Sequence, residues 1–158
     1  DYTLYRIVRE KRKPNSTFWE PHTVISMRKY NNQFVMVNEN IPYVILAFEP
    51  KENKTWNGNL YNTLGEENYT ISSLNTIDTI QQIIYDSVVT VSQKYFKSLY
   101  TYENKTEKYC YNIGMIYKTT INVESQPIHG NIDLSKPIEQ RITKGTIETY
   151  ELTSVTKP

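Results

Sequence analysis

From Tyr109 to Val123 the apolar side chains keep one parity: Tyr109, Tyr111, Ile113, Met115, Tyr117, Ile121 and Val123. Cys110, Asn112, Lys118, Thr120 and Asn122 take the other. A strand turns successive side chains to opposite faces, so this run commits the chain to a half-covered β-sheet. Gly114 marks the place for a bulge within it. Residues 139–155 read as a last strand or pair of strands, bent at Gly145 and returning antiparallel to 109–123.

Upstream the same logic gives shorter strands. Residues 2–9 alternate and end at the basic stretch Glu10-Lys11-Arg12-Lys13-Pro14. Thr23–Tyr30 and Gln33–Asn38 flank Asn31-Asn32, and Asn tolerates the left-handed backbone that a two-residue hairpin turn requires. Tyr43–Phe48 is a continuous apolar strand stopped by Pro50. Residues 50–68 are polar and turn-rich, which predicts a long loop with one short strand at most.

Between Ile77 and Leu99 the period changes. Ile77, Ile80, Ile84, Val88, Val91, Tyr95 and Leu99 fall along one stripe at 100° per residue, with Asp78, Gln82, Asp86, Thr90, Gln93 and Lys97 opposite. Ser73 or Asn75 supplies a cap, Asp78 suits the start of the helix dipole, and Lys94 and Lys97 suit its end. The β-branched content opposes a helix, but the stripe runs six turns. The expected fold is therefore α+β: an antiparallel sheet packed against one long central amphipathic helix. Its 158 residues fit a single domain, 1–158.

Eighteen basic side chains face 17 acidic ones, a net charge of +1. That balance argues against nucleic acid and anionic membrane as general partners. No apolar run is long enough for a transmembrane helix. The 14 Tyr and 15 Asn beside a single Ala (Ala47) follow from A/T-rich coding, so the Tyr excess carries no argument for a binding face.

One cysteine, Cys110, excludes an intrachain disulfide and a zinc ribbon, and is expected to pack as a buried thiol. The chain begins at Asp1, as expected of a processed product or of a domain from a longer protein. Asn-x-Thr sequons stand at Asn15, Asn53, Asn68 and Asn104. A chain this rich in Asn gives nearly as many by chance, so their weight rests on position. Asn15, Asn53 and Asn104 lie in segments that read as turns, where glycans belong. The location expected is secreted or cell-surface.

No nucleophile elbow, metalloprotease, phosphate-loop or dinucleotide motif occurs, and no cofactor or metal is expected. His22 and His129 occupy Pro-containing loops, with Glu20 and Asp133 as the carboxylates of a small hydrolase if the fold unites them. Phe18, Trp19, Trp56 and Tyr61 fall in expected loops, where aromatics serve as interface anchors. Arg6, Arg9, Lys11, Arg12 and Lys13 form the one concentrated charge, a candidate polyanion site.

The leading expectation is a non-catalytic, secreted or surface-exposed glycoprotein domain that binds a protein partner, as an effector or assembly subunit. The alternatives are a carrier of a small apolar ligand, with a tyrosine-lined pocket between sheet and helix, and the small histidine hydrolase.

Overall fold

The computed structural model describes residues 3–13, 15–127 and 133–155. Among the described residues ten strands follow one another: β1 Leu4–Lys11, β2 Glu20–Tyr30, β3 Gln33–Asn38, β4 Ile41–Ala47, β5 Thr55–Asn57, β6 Asn68–Ile80, β7 Ile83–Lys97, β8 Thr101–Cys110, β9 Gly114–Glu124 and β10 Lys144–Glu151. One 3₁₀ turn spans Ile138–Gln140. No α-helix occurs among the described residues, so the expected α+β architecture is replaced by two antiparallel sheets. Their strand orders are β1-β2-β3-β4 and β10-β9-β8-β7-β6-β5.

Two compact units divide the chain. One comprises Asp1–Pro50 and Trp56–Glu67, the other Lys51–Thr55 and Asn68–Pro158. In the first, β2 and β3 meet across Asn31-Asn32 at φ 45° and 60°, the left-handed pair expected for this hairpin. Glu39-Asn40, at φ 51° and 63°, turns β3 into β4 in the same way. Val35, Val44, Ile45 and Ala47 are buried along β3 and β4, and Ile25 along β2.

The segment expected to be the long helix is the β6–β7 hairpin. Gln81-Gln82 makes its turn at φ 50° and 66°. Of the expected stripe, Ile80, Val88 and Val91 are buried, whereas Ile77, Ile84, Tyr95 and Leu99 are exposed. Ser87 takes φ 53° between Tyr85 and Val88, and both of these residues join one buried cluster with Ile80, Cys110 and Ile116. Val91 instead stands opposite Ile71 and Glu107, on the other face of the sheet. A left-handed residue followed by burial on alternate faces puts buried residues at 85, 88 and 91, the spacing of a helix. The β-branched content was the truer signal.

The 109–123 run is likewise two strands. β8 ends at Cys110 and β9 starts at Gly114, with Asn112 at φ 59° and Gly114 at φ 103° between them. Parity survives the turn, which is why the run reads as unbroken. The expected antiparallel partner is present: β10 pairs β9 from Lys144↔Glu124 to Glu151↔Tyr117.

Candidate interaction surface

β1 forms because Leu4, Arg6 and Val8 alternate with Tyr5, Ile7 and Arg9, a pattern that places apolar residues on both faces. One face is anchored. Tyr5 stacks on Phe34 with centroids 6.3 Å apart, and Ile7 stands opposite the buried Ile25. The other face is open. Leu4 is 65% exposed, and Val8 at 51% is paired directly with Val24 at 52%. Among the described residues no strand pairs the outer edge of β1. An exposed edge with apolar side chains is a template for a further strand.

The β1–β2 connection extends this surface. Ser16 Oγ accepts the Phe18 amide at 3.1 Å and fixes a local turn. Phe18 beyond it is 78% exposed and Trp19 58%. The Arg12 guanidinium lies 4.9 Å over the Trp19 ring, a cation–π contact that holds the indole beside the basic stretch. Arg6, Lys11, Arg12 and Lys13 are exposed and Arg9 is half-buried. Pro14 lies outside the described residues.

The other two expected anchors have different roles. Trp56 is buried, and its Nε1–H donates to the Val44 carbonyl at 2.8 Å, so it belongs to the core. Tyr61 donates its hydroxyl to Gln33 Oε1 at 2.9 Å and meets Tyr30 edge-to-face at 5.7 Å. The loop around them is held by asparagines. Asn57 Oδ1 accepts the amides of Asn59 and Glu67, and Asn62 Nδ2 donates to the Pro42 carbonyl.

The sequons differ in setting. Asn15 and Asn53 are exposed in turns, and Asn68 is exposed at the start of β6. Asn104 is half-buried in the middle of β8, between β7 and β9, where it donates to the Tyr102 hydroxyl and accepts from Thr106 Oγ1. It is therefore not in a turn.

His22 and Glu20 are exposed on β2, and His129 lies outside the described residues. Asp133 is exposed; hydrogen bonds from Ser135 and Lys136 hold its carboxyl below the usual range. No group of three or more His, Cys, Asp or Glu with metal-binding geometry occurs among the described residues.

One polar cluster was not legible beforehand. Glu107 on β8 is 3% exposed, yet its Oε1 pairs with Lys118 Nζ on β9 at 2.8 Å. Tyr109 donates its hydroxyl to the other carboxylate oxygen. Burial pushes the Tyr109 phenol well above its ordinary value, and the adjacent Glu107 charge adds to the shift. The carboxylate is thus fully partnered and the phenol locked as a donor, an arrangement that braces the sheet. The only sequence signal is the Glu107↔Lys118 register, which exists once β8 and β9 are paired.

Cys110 is buried, as expected, and donates to the Asp86 carbonyl at 3.2 Å. Desolvation first, and then Asp86, raise its thiol above the ordinary value. Tyr117 helps line a shallow depression of about 170 Å³ with Met115, Ile116, Tyr150, Glu151 and Leu152. That volume is below the roughly 300–1,000 Å³ of small-molecule sites, and the helix expected to close a tyrosine-lined pocket is a strand hairpin. No helix among the described residues is long and apolar enough to cross a membrane.

Comparisons with protein families, with characterised proteins and with solved structures returned no match.

Proposed function

We propose that this chain is a non-catalytic binding domain of a secreted or surface-exposed glycoprotein, and that it engages a protein partner through the β1 edge and the Arg12–Trp19 connection. The observation that carries this reading is the open edge itself. Leu4, Val8 and Val24 are exposed on one face, continuous in sequence with exposed Phe18, Trp19 and a basic stretch. Extended segments bind such edges through main-chain hydrogen bonds, and side chains on the flanking faces select among them. Trp19 with Arg12 supplies the aromatic and cationic anchor typical of interface centres.

The test is binding of an immobilised set of extended octapeptides of varied charge, combined with hydrogen exchange. Selective binding should protect the β1 amides and fall on Val8→Lys or Trp19→Ala. Binding that ignores both substitutions, or leaves β1 unprotected, would refute the reading.

The glycoprotein aspect has its own measurement, site-resolved mass analysis of the folded protein from a eukaryotic secreting host. Glycans are expected at the exposed Asn15, Asn53 and Asn68, and not at the half-buried Asn104. A chain that is never modified there would remove this part of the proposal.

A further inference from the structure

The second sheet also ends in an open edge, and its charge is opposite. β10 is exposed at every residue from Lys144 to Glu151, and among the described residues no strand pairs its outer side. It carries Glu148 and Glu151, three residues apart. β1 carries Arg6 and Arg9, also three apart, within the stretch Leu4–Arg9 that pairs β2 without a register shift. β10 is equally regular against β9. One antiparallel register therefore sets Arg6 opposite Glu151 and Arg9 opposite Glu148 at once. In that register Tyr5 faces Leu152, Ile7 faces Tyr150 and Val8 faces Thr149, so apolar and β-branched neighbours fill the positions around the ion pairs.

We infer that the partner of the β1 edge is a second copy of this chain, joined by antiparallel addition of its β10. This rests on the reading of β1 as the binding edge, and it specifies the occupant. A contact between two different surfaces is heterologous, so each copy offers one donor edge and one acceptor edge, and association runs head to tail into a ring or an open chain.

The experiment is sedimentation velocity across a concentration series, at low and high salt, on four samples: the full chain, Arg6→Glu/Arg9→Glu, Glu148→Arg/Glu151→Arg, and an equimolar mixture of the two variants. The full chain is expected to associate with concentration, and less so at high salt. Each variant alone should associate about tenfold more weakly or worse, because both ion pairs become like-charge pairs. The mixture should recover association, since it restores opposite charges across the contact and shows that both variants fold. A full chain that stays monomeric throughout, or a mixture no better than its components, overturns the inference. The octapeptide assay separates this from the broader reading: a monomeric chain whose β1 edge still binds foreign strands rejects the second copy as partner but keeps β1 as the binding edge.

Discussion

Replacing Lys118 with Met should destabilise the protein far more than loss of a surface ion pair would. Lys118 Nζ is the cationic partner of Glu107, whose side chain is 3% exposed. Removing one member of a buried pair strands the other and costs roughly 3–5 kcal/mol. Lys118 keeps 31% of its side chain in solvent, so water already screens part of the pair and the upper range does not apply. Tyr109 still donates to the carboxylate, which recovers about one charged hydrogen bond. The expected loss is therefore about 2–3 kcal/mol, or roughly 5–10 °C in melting temperature for a chain of this size. Urea unfolding followed by far-ultraviolet circular dichroism at neutral pH measures it.

The second arm is Glu107→Gln in the Lys118→Met background. With the stranded charge removed, the double variant should recover about 1 kcal/mol relative to the single one, a non-additive result that marks direct coupling. A Lys118→Met protein within about 0.5 kcal/mol of the parent would mean that the pair behaves as a solvated one and that burial of Glu107 exerts no cost. A double variant as unstable as the sum of the two singles would refute the stranded-charge account.

Gly145 holds φ 111° where an added Cβ would lie 2.0 Å from the Asn122 carbonyl oxygen and 2.7 Å from Val123 Cα. Gly145→Ala should therefore lift the start of β10 from β9 at a cost of about 3 kcal/mol or more, seen as lost protection of the Thr143 amide, which donates to the Glu124 carbonyl at 2.9 Å; retained protection would count against the close approach. The raised Tyr109 phenol implies a definite alkaline limb. Below the ordinary phenol value the unfolded and folded chains hold this proton alike and the contribution to stability is constant; above it the unfolded chain releases the proton first, so stability falls toward the folded value. Tyr109→Phe should flatten that fall, and one phenol should titrate later than the rest in an ultraviolet titration of the parent; phenols that all titrate together would contradict it. Cys110, buried and with its thiol pushed up, should react with a disulfide reagent far more slowly in the native state than in urea; equal rates would place it at the surface.

How far the fold is legible in the sequence depends on whether local chemistry and tertiary burial agree. At Asn31-Asn32 they do: the turn residues suit the left-handed backbone and the flanking strands alternate, so the hairpin can be read directly. At Gln81-Gln82 they do not. Glutamine has no special preference for positive φ, so nothing local announces the turn, and the left-handed Ser87 sets the buried Tyr85, Val88 and Val91 of β7 at a helical spacing. Val88 and Val91 then bury on opposite faces of one strand, which a single-face periodicity cannot represent. In such a segment the density of Ile, Val and Thr carries more information than the spacing, because propensity survives a bulge and periodicity does not.

The candidate surface divides along the same line. Trp19 and Trp56 both sit among polar, turn-forming neighbours, yet one lies beneath Arg12 at the surface and the other gives its indole N–H to a core carbonyl. What separates them is the chain that returns after each. After Trp56, Asn57, Asn59 and Asn62 bind backbone groups of their own loop and of Pro42, which places the indole inside. After Trp19 the chain enters β2 directly, and the side chain stays in solvent. The charges show the complementary case. Arg6, Arg9, Glu148 and Glu151 are plain in the sequence, where the arginines read as part of a candidate polyanion site and the glutamates as side chains of a last strand. They acquire meaning once β1 and β10 are known to end their sheets, because a charge on a central strand tunes one internal pair whereas a charge on an edge decides which strand can be added there.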